Sequence, residues 1–154
     1  MALRRASRKP SAPRPGRPAG AKLIFSDTIA NTPQALDPLI SRLVETLGNF
    51  GCLDDTCTDI ELALREALAN AILHGNGGNP RQRVALDCFR QKDHSILLVI
   101  RDQGQGFDPA GVADPCAPEN IYRVGGRGIF LMRHFMDEVS FRRKGSEIRM
   151  RKKL

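Results

Sequence analysis

The sequence predicts an α+β fold, a two-layer α/β sandwich in which a mixed, mainly antiparallel sheet carries three helices on one face. Three observations carry that expectation. Apolar residues recur at helical spacing in three stretches, near 37–47, 55–75 and 128–136. Alternating or continuous apolar runs of strand length stand outside those stretches. Between them, residues 103–124 show no periodicity and hold Pro109, Gly111, Pro115 and Pro118, a loop of the length that is usually functional or disordered.

Taken in order, Leu23-Ile24-Phe25 reads as the first strand. Asp37 as cap with Pro38 at the first helical position opens a helix whose inward face is Leu39, Ile40, Leu43, Val44 and Leu47, closed by Gly48 and Gly51. A second helix begins near Asp55-Thr56, turns Ile60, Leu64, Ala67, Leu68 and Ala71 inward and stops at Gly75. Residues 75–80 form a loop by composition. Val84, Leu86 and Cys88 alternate, Gln91-Lys92-Asp93 turns, and Ile96 to Ile100 is apolar enough for a buried strand, so these segments make a hairpin. The third helix spans about Gly128 to Met136, with Met132, Phe135 and Met136 in the core. Val139-Ser140-Phe141 and Ile148-Arg149-Met150, joined through Lys144-Gly145, close the chain as a second hairpin.

A chain of 154 residues supports one domain with a core, assigned to 21–154. Residues 1–20 contain six basic residues, no acid, and Pro10, Pro13, Pro15 and Pro18, a composition that can neither hold a helix nor bury apolar area. They are read as a disordered basic tail, and the prolines spoil the amphipathic helix that an organelle transit peptide needs. The net charge of +7 is concentrated at the ends: 142–154 holds seven basic residues against Glu147, and the two ends together carry +12, leaving about −5 for residues 21–141. Two solvated basic ends around an acidic body argue against a nucleic-acid groove in the fold, as do Trp 0 and Tyr 1. Cys52, Cys57, Cys88 and Cys116 lack paired metal-ligand spacing and are expected as reduced, mostly buried thiols. No apolar run reaches the length of a secretory core or membrane span, so the expectation is a soluble, cytoplasmic protein without membrane association.

Three segments carry candidate chemistry. Glu66 and Asn70 stand four apart at the margin of the second helix's apolar face, one turn apart on one side. A carboxylate and an amide so placed suit a general base beside an oxygen ligand for Mg²⁺, which takes few protein oxygens together with phosphates. Alone, the pair also fits an exposed helix face. Asp102 ends the buried strand and enters Gln103-Gly104-Gln105-Gly106, where glycines let a ligand approach the backbone and the carboxylate can accept from an exocyclic amine. Gly125-Gly126-Arg127-Gly128 leads into the third helix, and glycine amides with a guanidinium beside them make an anion cradle. His74, at the end of the second helix, reads as a cap or packing residue; His94 and His134 have no such setting.

With these segments in their order, the chain resembles the GHKL (Bergerat-fold) ATP-binding superfamily, and within it the anti-sigma factor serine/threonine kinases of the RsbW type. The matching stretches are Glu66 to Asn76, Asp102 to Pro109, and Gly126 to Met132 through Asp137-Glu138-Val139, so the resemblance covers residues 22–152. It implies Glu66 as catalytic base, Asn70 as the Mg²⁺ ligand and Asp102 as acceptor for the adenine amine. It further implies Gly104 and Gly106 as shapers of the adenine pocket, Gly126, Arg127 and Gly128 as phosphate holders, and residues 110–124 as a lid. The implied cofactors are ATP and Mg²⁺. The implied partners are a sigma factor and a small antagonist of the STAS fold that is phosphorylated on serine, with the kinase a possible homodimer. A histidine kinase would need a phosphoacceptor bundle, and a gyrase-like or chaperone ATPase a second domain, for which this length leaves no room. Two other functions are weighed: an ATP-dependent partner-binding switch without kinase activity, against which Glu66 speaks, and a nucleic-acid-binding domain, against which the acidic body speaks.

Overall fold

A computed structural model gives the structure of the protein, describing residues 17–106 and 127–154. The elements run β1 (Lys22–Ala30), α1 (Leu36–Gly48), α2 (Asp54–Asn70), β2 (Arg83–Arg90), β3 (Ser95–Arg101), α3 (Arg127–Phe135), β4 (Glu138–Arg142) and β5 (Glu147–Lys153). The strands form one sheet in the order β1-β2-β3-β5-β4.

Every neighbouring pair is antiparallel, which corrects the expectation of a mixed sheet. The strand–helix–strand path β3–α3–β4 does join two strands of the same direction, since both run antiparallel to β5. They are not neighbours, because the closing hairpin inserts β5 between them. A crossover favours parallel strands without requiring them to pair.

Strand alternation divides the sheet into two faces. On the helix side, Phe25, Cys88, Leu98, Met150 and Val139 stand opposite one another across the five strands, and Leu86, Ile100, Ile148 and Phe141 form the next row. These pack with Leu39, Ile40, Leu43 and Leu47 of α1, Ile60, Leu64, Ala67 and Leu68 of α2, and Ile129 and Met132 of α3 in one core. The helical residues expected to face inward do so, except that Val44 and Phe135 are only partly buried. In β1 the register shifts between Leu23 and Phe25, a bulge that leaves both Ile24 and Phe25 against the core. The opposite face carries a small cluster of Ala21, Phe89 and Val99 with Leu97.

Element boundaries also differ from expectation. Helix α1 starts earlier than Asp37, because Pro33 opens a 3₁₀ turn (Pro33–Ala35) that feeds directly into Leu36. Asp37 and Pro38 therefore sit inside the first turn, and Asp37 accepts a 2.6 Å bond from Arg65 of α2. Helix α3 starts at Arg127, one residue ahead of the expected Gly128. Within the basic stretch 142–154, residues 147–153 form an inner strand of the sheet, while Arg142, Arg143, Lys144 and Lys153 stay exposed.

The cysteines also differ from expectation. Cys52 and Cys57 form a disulfide, with Cα atoms 5.9 Å apart, inside the range such a bridge needs. The tight link from α1 into the first turn of α2 brings them together. Cys88 is a buried free thiol, and burial, with the charge of Asp87, pushes its pKa up. Cys116, the tail residues 1–16, the glycines 125 and 126 and the loop 107–124 lie outside the described residues. No described helix is long and apolar enough to cross a membrane.

Candidate nucleotide site

Helix α2 spans the site. Its buried stripe Ile60, Ala63, Leu64, Ala67 and Leu68 fixes its rotation, so Glu66 and Asn70 emerge half-buried at the margin of that stripe. Helix α3 packs across this margin at Gly128. A Cβ placed on Gly128 would stand 3.0 Å from Glu66 Oε2 and 3.4 and 3.5 Å from the Asn70 amide atoms. Any side chain there would cover the carboxylate and the amide. Among the described residues, neither Glu66 nor Asn70 makes a side-chain hydrogen bond or ion pair.

Beyond Asn70 the helix widens into a π turn, Ala71–Gly75, in which Asn76 N donates to Ala71 O at 2.8 Å. Such turns occur often at functional sites. Here the turn lays Gly75 directly against Asp102, and a Cβ on Gly75 would overlap the Asp102 carboxylate. The sequence marked Gly75 only as a helix stop.

Asp102 follows β3 at the end of the sheet. Its own N–H donates to Ser146 O at 3.1 Å, and its Oδ1 accepts from Gly104 N at 2.9 Å. Burial raises its pKa, opposed by the hydrogen bonds from Gly104 N and from its own amide. Next to it, Arg101 is buried and donates to Glu147 Oε2 at 2.5 Å across the strand pair. Burial alone would raise the Glu147 pKa, but hydrogen bonds from Arg149 and Arg101 and their charges outweigh it and hold the carboxyl below its usual range. This pair anchors the strand end from which Asp102 projects.

The two pocket glycines are demanded by backbone. A Cβ on Gly104 would run into the carbonyl of Gly75, and one on Gly106 (φ 80°) into the carbonyl of Lys144 in the β4–β5 turn. Positive φ at Gly106 strains any other residue as well.

The structure thus groups the expected residues in two sets: Glu66, Asn70 and Gly128 at the last turns of α2, and Asp102, Gly104 and Gly106 around the π turn that follows it. Nine residues of helix separate Glu66 from Gly75, roughly 13 Å at 1.5 Å per residue. Arg127 stands exposed at the start of α3, and Gly126 lies outside the described residues. His74 is exposed in the π turn, as befits a terminal residue rather than a catalyst. Asn76, the last residue of the first matching stretch and one with no role expected from the sequence, is buried and accepts from Gln103 N.

The donor set fits a metal-bound nucleotide. Asn70 offers a hard amide oxygen, and Gly75 and Gly128 keep both carboxylates uncovered.

A small α+β domain with a carboxylate–amide helix, an acidic glycine turn and a glycine opposite the helix defines a nucleotide-binding domain. The chain belongs to the histidine kinase-like ATPase domain family, whose pattern matches residues 29–152. It is 36% identical over 107 residues to "Serine-protein kinase RsbW" of Staphylococcus epidermidis, covering 65% of this chain and 67% of that protein. It is 33% identical over 106 residues to "Anti-sigma F factor" of Oceanobacillus iheyensis, covering 65% of this chain and 71% of that protein. Among solved structures, a histidine kinase domain from Erythrobacter litoralis EL346 blue-light activated histidine kinase aligns with a TM-score of 0.46 at 18% identity, over 88% of this chain and 64% of that one.

Proposed function

We propose that this protein is an anti-sigma regulatory factor with serine/threonine kinase activity, which binds Mg-ATP along α2 and phosphorylates a serine of a STAS-domain antagonist. The observation that carries this reading is the convergence of Glu66 and Asn70 on Gly128, with both polar groups unengaged among the described residues. The names of the similar kinases and anti-sigma factor support the choice of substrate and partners.

In this reading Asp102 accepts from the exocyclic amine of adenine, while Gly75, Gly104 and Gly106 let the surrounding turns close tightly around that carboxylate. Asn70 Oδ1 holds Mg²⁺, and Gly126, Arg127 and Gly128 hold phosphate oxygens by main-chain N–H groups and a guanidinium. Bound Mg-ATP supplies the transferable phosphoryl group and neutralises its charge. Glu66 Oε2 orients the serine hydroxyl and takes its proton, a contribution of about 10²–10⁴-fold, with positioning supplying most of the rest. A sigma factor as second partner, a homodimeric state and a cytoplasmic setting belong to the same reading.

The experiment is phosphate transfer from labelled Mg-ATP to a STAS-domain antagonist, run with wild type and Glu66→Gln alongside calorimetric nucleotide binding. Transfer should fall about 10²–10⁴-fold in Glu66→Gln while binding holds. Wild type that binds the antagonist in an ATP-dependent way yet transfers nothing would make the protein a binding switch. Equal transfer by Glu66→Gln would remove the base assignment.

A further inference from the structure

We infer that Asn76 is a positioning residue for base selection: its side-chain amide ties the turn that bears Asp102 to the π turn of α2 and to β1 and β2, and so fixes where the Asp102 carboxylate stands. The inference rests on the reading of Asp102 as the adenine acceptor.

Asn76 is 4% exposed, and its carboxamide is engaged at both ends. Oδ1 accepts from Gln103 N at 2.8 Å, and Nδ2 donates to Asn31 Oδ1 at 2.9 Å and to Arg83 O at 3.0 Å. Only one orientation of the amide satisfies this set, since the reverse would set an N–H against an N–H and an oxygen against two oxygens. Asn31, itself buried, donates onward to Asn79 O at 2.9 Å. Asn76 is also the residue whose main-chain N–H closes the π turn on Ala71 O.

The grip falls on the residue next to the carboxylate. Gln103 O accepts from Gln82 Nε2 at 3.1 Å, and Gln103 Oε1 accepts from Arg83 N at 2.7 Å. On the other side, Gly104 N donates to Asp102 Oδ1. Both contacts, one from Gln82 and one from Arg83, are at exposed residues, open to competition by water. The Asn76–Gln103 bond is the more shielded, because its acceptor belongs to a buried side chain, and an unmade buried partner costs more than an exposed one. A carboxylate can discriminate an amine from a carbonyl only if it cannot retreat from the wrong base, so a held turn is a condition of selectivity.

Calorimetry with Mg-ATP and Mg-ITP, which carries a carbonyl oxygen where ATP has the amine, tests this beside thermal unfolding. Wild type should prefer ATP by about tenfold or more, the cost of setting an acceptor against an acceptor. Asn76→Ala should lose most of that preference. Asn76→Asp keeps the acceptor for Gln103 N but loses both donors, and should melt lower than wild type with the preference largely retained. Asn31→Ala, which weakens the packing of Asn76 without touching Gln103, should also melt lower with the preference unchanged. Should Asn76→Ala not fold, Asn76→Ser, too short to hold Gln103 N, must show the same loss. Full wild-type preference in Asn76→Ala or Asn76→Ser overturns the inference alone. Equal affinity of wild type for the two nucleotides overturns the Asp102 reading, and the inference with it.

Discussion

At the Asp102 end of the cleft the polar groups are bonded to one another, whereas at the Glu66 end the carboxylate and amide have no side-chain partner among the described residues. The close approaches differ in the same way. Gly104 and Gly106 face main-chain carbonyls that cannot yield, while Gly128 faces the flexible ends of Glu66 and Asn70. The difference teaches how such a site divides its work. Recognition of a base needs fixed walls, and those are built from turns locked to the sheet. Metal and phosphate chemistry needs groups free to take up new bonds, and those are left unspent on a rigid helix.

The largest effect should come from below the fixed end. Glu147→Ala removes the buried carboxylate to which both Arg101 and Arg149 donate, and should cost about 3 kcal/mol in chemical denaturation. The Glu147 carboxyl has a lowered folded pKa, so its contribution is present above the unfolded value and is lost as pH falls through the folded one; the gap between wild type and Glu147→Ala should narrow on acidification. Next, Gly104→Ala forces the turn away from the Gly75 carbonyl and should cost about 1–3 kcal/mol while abolishing measurable ATP binding.

Asp102→Asn should act in the opposite direction on stability. Burial raises the folded pKa of Asp102, so its contribution is fully present below the unfolded pKa and is lost as pH rises through the folded one. The apo variant should therefore be more stable than wild type at neutral pH and lose that advantage in acid, read as melting temperature against pH. The smallest change in stability belongs to the free end. Gly128→Ala gains helix propensity of up to about 1 kcal/mol against a contact that a side chain can relieve, so melting should hold or rise slightly. Phosphate transfer should nevertheless fall, because the new Cβ pushes Glu66 Oε2 from its place.

Much of the frame was legible in the sequence because local pattern carries it. Leu39, Ile40, Leu43 and Leu47 repeat at helical spacing, Val84, Leu86 and Cys88 alternate, and all are buried where those periods put them. Glu66, Asn70 and Asp102 were legible because a polar residue at the edge of an apolar face, or a carboxylate opening a glycine turn, stands out against its neighbours. Strand order was not, since nothing local in Ile148-Arg149-Met150 says that β5 slips between β3 and β4. The disulfide was hidden because four residues between cysteines reveal no Cα distance. Gly75 and Asn76 were hidden for a related reason: their partners, Asp102 and Gln103, lie some 27 residues away, and the π turn that presents them has no sequence signal.

The central claim is that the last turns of α2 and the π turn that follows do separate jobs, the π turn with Asp102 selecting the base and Glu66 on α2 moving the proton. Titration of Mg-ATP into Glu66→Gln and Asp102→Asn, side by side with wild type, tests it most directly. The account predicts that Glu66→Gln binds within about twofold of wild type and that Asp102→Asn, having exchanged an acceptor for a donor opposite the amine, binds at least about tenfold more weakly. Wild-type affinity in Asp102→Asn, or a comparable loss in Glu66→Gln, would contradict it.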